Sequence, residues 1–274
     1  VRDMCGIAGY VGPRSAVTTV VDQIRRLEYR GYDSAGVAFP SGDGFRTIKR
    51  SGKLAALVAA LDGEPTDARL AIAHSRWATH GGPTDANAHP HRDGTGDVVI
   101  VHNGIVENWS ELKDDLLAKG HRFLSETDTE VAAHVIGEEV AQGGPLDEAV
   151  RRAVKHLRGA FSLVVASRKE PGTLVAVRNA SPLVIGLGEG ENLLASDIPA
   201  VLPYTRRVVV MEENTIATVT ADAVRIVDWD GRDRPAEPTV IDWDVQAAER
   251  GGFAHFMRKE IHEQPRVIRQ ALAG

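Results

Sequence analysis

Residues 5–12 read CGIAGYVG: one cysteine, then a run of small and apolar residues. The segment 6–11 (GIAGYV) has the length and character of a buried strand. Cys5, the single cysteine of the 274-residue chain, therefore stands at a strand's leading edge. Downstream, residues 15–29 carry Val17, Val20, Val21, Ile24 and Leu27 at helical spacing, with Ser15 as N-cap and Gly31 as the stop. SAGVAF and FRTIKR flank SGDG as a hairpin, LAALVAAL is a short helix, and RLAIAHSRW and DVVIVH read as buried strands. Between them, residues 79–96 form a Gly/Pro/His-rich loop. Three helices follow over 109–159, then a strand-rich tract from 160 to 228 whose tight turns imply antiparallel pairing. Strands early, helices in the middle and strands late predict an α+β layered fold, not a βαβ repeat.

Composition narrows the function classes. Hydrophobic residues make up 43% and charged residues 26%, a soluble globular balance. Net charge is -6, with 32 basic against 38 acidic residues, which argues against a nucleic-acid-wrapping surface. No apolar run reaches the roughly 18 residues of a membrane span. A lone cysteine makes no intrachain disulfide, and no secretory h-region is visible, so a cytoplasmic location is expected. Five of the ten histidines (His74, His80, His89, His91, His102) crowd one stretch. A metal-dependent hydrolase built on them is one alternative, but no HExxH is present and the spacings fit no common zinc pattern.

Cys5 taken alone reads as a small core residue. Its neighbours change that. Removal of everything through Met4 would leave a free α-amine, reference pKa near 8, on the residue that carries a thiol near 8.5. Nucleophile and base would then share one residue, and Gly6 would leave the backbone open to substrate. Asn103-Gly104 follows the strand DVVIVH and reads either as a hairpin turn or as two N–H donors for a developing oxyanion. Thr127-x-x-Glu130 is a capping box that places Asp128 in a helix's first turn. Gly186-x-Gly188-x-Gly190 mimics a nucleotide fingerprint, but a strand follows it, so it is a hairpin.

The motifs CGIAGYVG, RRLEYRGYDSAG, HSRWATHG, NAHPH, HNGIVEN, SETDTE and KEIHEQP, in that order, resemble the glutaminase (class II glutamine amidotransferase) half of the glutamine–fructose-6-phosphate aminotransferases. The resemblance implies a four-layer αββα N-terminal nucleophile hydrolase fold, with two stacked antiparallel sheets flanked by helices. It implies Cys5 as nucleophile, with Asn103 and Gly104 as the oxyanion hole. It implies Arg76 on the α-carboxylate of L-glutamine, Asp128 on its α-ammonium, and Trp77, Thr79, His80 and His89 as further pocket residues. Arg30 and Gly6 would support the nucleophile. No metal or organic cofactor is expected.

The resemblance also divides the chain. Residues 1–4 read as an extension, 5–245 as the glutaminase domain, and 246–274 as a linker and the start of an absent sugar-isomerase part. Residues 253–274 are expected to be helical with a break at Pro265. Fructose 6-phosphate would be a partner only of the full-length enzyme, which is expected to pair as a homodimer through the missing part. Should Val1–Met4 stay attached, the amine is blocked and the domain becomes a catalytically silent glutamine-binding module.

Overall fold

Cys5 leads directly into β1 (Gly6–Val11), whose six residues are all buried. The computed structural model describes residues 5–29, 31, 33–64, 67–77, 81–242, 253 and 256–273. α1 (Ala16–Arg26) starts at Ser15, whose side chain accepts from the Thr18 N–H at 3.3 Å. It stops at Arg26, short of the expected residue 29, because Leu27 turns inward against Gly6. β2 (Ser34–Ser41) and β3 (Gly44–Ser51) form the expected hairpin. α2 (Leu54–Ala60), β4 (Leu70–Arg76), a two-residue β5 (His91–Arg92) and β6 (Val98–Val106) follow.

The helical middle comprises α3 (Trp109–Ala118), α4 (Asp128–Ala141) and α5 (Leu146–Val154). Then come β7 (Gly159–Ser167), β8 (Leu174–Arg178), β9 (Val184–Leu187), β10 (Asn192–Ala195), a 3-10 turn (Ile198–Ala200), β11 (Arg207–Val210), β12 (Thr215–Val219) and β13 (Val224–Asp228). The glycine-rich 188–190 segment joins β9 to β10 as a hairpin turn. Residues 229–240, beyond the strand-rich tract read from the sequence, add two short strands, β14 (Asp233–Arg234) and β15 (Thr239–Val240). These edge pairings need only two residues each, so Pro235 and Pro238 sit just outside them.

The strands form two antiparallel sheets. The first runs β15-β11-β9-β10-β1-β4-β2-β3, the second β14-β13-β12-β8-β7-β6-β5. Side chains alternate across each strand. Ile7, Ile72, Leu194 and Ile185 of the first sheet therefore meet Val99, Val101, Val164 and Ala176 of the second in one core. The other face of the second sheet (Val98, Ile100, Leu163, Val165) packs on Val131, Ile136, Val150 and Val154 of α4 and α5. α1 covers the first sheet with Val17, Val20, Val21 and Ile24. Each fully buried side chain of this size is worth about 1.5–3 kcal/mol. The result is the αββα arrangement of an N-terminal nucleophile hydrolase, as the resemblance implied.

The chain divides after Val240 into two units. The second contains α6 (Phe256–Ala273), which passes through Pro265 instead of breaking there. Proline removes one internal hydrogen bond, and an 18-residue helix retains bonds on either side of it. Ile261 and Ile268 of α6 are exposed.

Candidate active site

β1 and β4 run antiparallel with Gly6 opposite Ser75. That register carries Cys5 past the end of β4, beside Arg76 and Trp77. The Trp77 backbone closes on the sulfur: its N–H donates to Cys5 Sγ at 3.1 Å, and its carbonyl accepts from Sγ at 3.5 Å. An N–H aimed at sulfur supports negative charge there. Gly6 does not open the backbone to substrate, as the sequence had suggested. It is buried, and a Cβ there would lie 2.6 Å from Ser75 Oγ and 2.9 Å from Leu27 Cβ. Its role is to let β1 lie close to α1 and β4.

Asn103 comes from the second sheet. Val99 and Val101 face the inter-sheet core, so Asn103, two residues on, points the same way. Its Nδ2 donates to the Cys5 carbonyl at 2.9 Å, and its Oδ1 lies 3.0 Å from His74 Nε2. A carbonyl only accepts, so the amide nitrogen must face Cys5 and Oδ1 must take a proton from His74. Burial pushes the His74 pKa down to about 3, which keeps the ring neutral with its hydrogen on Nε2. His74 thus locks the amide's orientation.

Asn103-Gly104 is not a hairpin turn. Both residues lie inside β6, paired with Ser162 and Phe161 of β7, and β6 continues to Val106. The Asn-Gly turn preference is overridden by sheet pairing. Gly104 nevertheless has φ +114°, a left-handed backbone, and any Cβ there would collide with the Ala160 carbonyl oxygen. Gly104 is exposed while Asn103 is buried.

Asp128 is the first residue of α4. Thr127 caps the helix by accepting from the Glu130 N–H at 3.3 Å. The box is only half closed. Glu130 sends its carboxylate to the N–H groups of Leu124 (2.8 Å) and Ser125 (2.6 Å) instead of back to Thr127. Asp128 Oδ2 accepts from the Val106 N–H at 2.8 Å, which ties α4 to the end of β6. Arg76 is 3% exposed, and burial lowers its pKa; the neighbouring Cys5, Asp128 and Asp33 oppose that shift. The Cys5 thiol and the Asp128 carboxylate thus lie close enough to Arg76 for their charge to act on it. The Arg76 fork also donates to the Gly81 and Gly82 carbonyls at 3.2 and 3.3 Å.

His89 is buried in a group of imidazoles, its ring 4.2 Å from that of His74 and 5.1 Å from that of His91. Burial holds His89 and His91 well below the usual histidine pKa. His91 Nε2 lies 3.1 Å from Thr127 Oγ1, and His102 Nδ1 lies 2.8 Å from Thr129 Oγ1. His91 and His102 are thus hydrogen-bonded, whereas His89 Nδ1 is buried with no hydrogen-bond partner among the described residues. Arg30, Thr79 and His80, like Val1–Met4, lie outside the described residues.

Two functional contributors were missed. One is His74. The other is Asn87, 2% exposed, whose side chain donates to Gly82 O (3.1 Å) and Glu126 Oε2 (3.0 Å) and accepts from Glu126 N (3.0 Å). Asn87 binds the loop that holds Arg76 to the start of α4. The histidine crowding was visible in sequence; the contacts that give each member its role were not.

The family profile "Glutamine amidotransferase domain" matches residues 74–203. Over those residues, just under half of its length, the chain resembles a glutamine amidotransferase domain. It is 53% identical over 271 residues to a glutamine–fructose-6-phosphate aminotransferase [isomerizing] of Thermus thermophilus, with 99% of this chain and 44% of that protein covered. The like-named protein of Symbiobacterium thermophilum is 54% identical over 273 residues, again with 99% and 44% covered. The chain thus spans less than half the length of these relatives. Among solved structures, a glutamine phosphoribosylpyrophosphate amidotransferase of B. subtilis matches at a TM-score of 0.70 and 22% identity, covering 82% of this chain and 49% of that one. That likeness speaks for the fold of the amidotransferase domain alone. Among the described residues, no helix is long and apolar enough to cross a membrane.

Proposed function

We propose that this domain hydrolyses L-glutamine to glutamate and ammonia through a thioester on Cys5. The Cys5 thiolate attacks the side-chain carboxamide carbon, and the α-amine of Cys5, freed by removal of residues 1–4, takes the thiol proton. The oxygen that becomes negative is held by the second N–H of Asn103 Nδ2 and by the Gly104 N–H. Each such donor is worth about 3–4 kcal/mol of barrier. The amine returns its proton to the departing nitrogen, the C–N bond breaks and ammonia leaves. Water then cleaves the thioester to glutamate and regenerates the thiol.

Arg76 clamps the substrate α-carboxylate through its planar fork. Asp128 takes the α-ammonium. Trp77, Thr79 and His80 line the pocket around them, Arg30 and Gly6 support the nucleophile's surroundings, and His89 packs behind as a buried neutral ring. In a longer protein like the relatives above, the ammonia would aminate fructose 6-phosphate in a sugar-isomerase part, through which two chains would pair. The free thiol suits a reducing, cytoplasmic setting.

The observation that carries this reading is the meeting of Cys5, Asn103 and Trp77 at hydrogen-bond distance with Arg76 and Asp128 beside them. Cys5→Ala is expected to lower glutamate release by about 10³-fold or more while glutamine still binds calorimetrically. Unchanged turnover in that variant would end the mechanism. The second reading, a silent glutamine-binding module, draws support from the four residues that precede Cys5. It predicts glutamine binding without glutamate release in the unsubstituted chain.

A further inference from the structure

Behind the imidazole group, on the far side of His91, lies a cleft of about 830 Å³ lined by β3, residues 90–96 and residues 119–124. Its volume falls in the range of small-molecule sites. Its charged lining is Lys49, Arg92, Lys119 and Arg122 against Asp93 and Glu130. The chain as a whole is acidic, so this local excess of cations runs against the average.

The cations and the acids are not paired with each other. Among the described residues, Lys49, Arg92 and Arg122 enter no ion pair, and only Lys119 does, with Glu138 at 2.6 Å. Lys49 Nζ donates to the Ala86 carbonyl at 2.8 Å, and Arg92 Nη1 to the Phe45 carbonyl at 3.5 Å. The two carboxylates are occupied by other donors. Asp93 accepts from the Val98 N–H and the Thr95 hydroxyl, and Glu130 from the N–H groups of Leu124 and Ser125. Four cations against two acids thus line one concave surface, and neither acid holds any of the four in an ion pair.

We propose that this cleft binds a small polyanion, a compound bearing clustered negative charge of the phosphate or polycarboxylate kind, with Lys49, Arg92 and Arg122 as its principal contacts. Guanidinium forks and a lysine ammonium are the side chains that recognise such groups. Lys49 adds a second indication. Burial, with the nearby Arg92 and Arg76, lowers its pKa to about 8 against the opposing pull of Glu130 and Asp85, and a bound anion would add to that pull. None of Cys5, Arg76, Asn103, Gly104 or Asp128 lines the cleft, and its test does not depend on turnover.

Calorimetric titration of the whole chain with inorganic pyrophosphate, and separately with citrate, tests it. Saturable binding of either supports the site, and the preferred probe tells phosphate from carboxylate recognition. Arg122→Ala, a surface change, should weaken that binding about tenfold, and Lys49→Met at least as much, whereas Lys155→Ala, at the C-cap of α5 and outside the cleft lining, should leave it unchanged. Should Lys49→Met fail to fold, protection of Lys49 from acetylation by the bound probe, read by peptide mass, replaces it. Absence of saturable binding to both probes, equal loss in Lys155→Ala, or undiminished binding in Arg122→Ala would overturn the proposal.

Discussion

Two polar regions meet at His91, and they treat charge in opposite ways. On one side His74, His89 and His91 are buried, and burial keeps them neutral. On the other side Lys49, Arg92 and Arg122 border an open cleft. The dry region uses histidine as a fixed hydrogen-bonding group: His74 aims the Asn103 amide, and His91 meets the cap of α4. The wet region leaves its cations available to solvent and to ligands. Burial, more than residue type, decides which part of a polar side chain's chemistry the protein can use.

Acid should break the dry region first and most severely. The unfolded chain protonates its histidines near pH 6.5, whereas these three stay neutral in the fold to well below that. Below pH 6.5 the unfolded state therefore binds more protons, and stability falls as pH falls, until the folded rings titrate (near pH 3 for His74). Each ring contributes about 1.4 kcal/mol per pH unit in that window, so the three together remove about 4 kcal/mol per unit. Urea unfolding at pH 7.5, 6.0 and 5.0 measures this. A flat stability over that range would mean that the rings are charged or solvated.

Next in size is the loss of the donor that the dry region positions. Asn103→Ala should lower kcat for glutamate release by about 10²–10³-fold with a small change in KM. His74→Ala acts one step further away. It leaves Asn103 Oδ1 unpaired, at about 1–3 kcal/mol, and should reduce kcat about tenfold with KM preserved. His74→Gln, which keeps an N–H donor, should recover most of that rate. Equal loss in both variants would mean that the ring's packing, not its donor, matters. The smallest effect belongs to the wet region: Arg122→Ala should shift unfolding free energy by no more than about 0.5 kcal/mol.

The contrast also explains what the sequence could reveal. Periodic apolar patterns gave away most strands and helices, because burial imposes the pattern. The motif resemblance brings Cys5, Arg76, Asn103 and Asp128 forward as candidates, and the fold sets Cys5 within hydrogen-bond reach of Asn103 and ties Asp128 to the end of β6. Asn103-Gly104 was misplaced as a candidate turn, since local preference says nothing about β7 pairing across it. Gly6 was misread because Ser75 and Leu27, which fill the space beside it, come from elsewhere in the chain. His74 and Lys49 owe their surroundings to contacts between distant segments, and Arg92 and Arg122 line one cleft from separate stretches of chain. Local windows carry none of that. Pro265 was read as a break because the rule concerns one lost bond, whereas the helix depends on the whole of its length.

The central claim is that Cys5 supplies both sulfur and base. The most direct measurement compares kcat for glutamate release between a chain whose first residue is Cys5 and one that retains Val1–Met4, each verified by intact mass. The account predicts turnover in the first and a loss of at least about 10²-fold in the second, the scale of a missing general base. Equal turnover in both would contradict it.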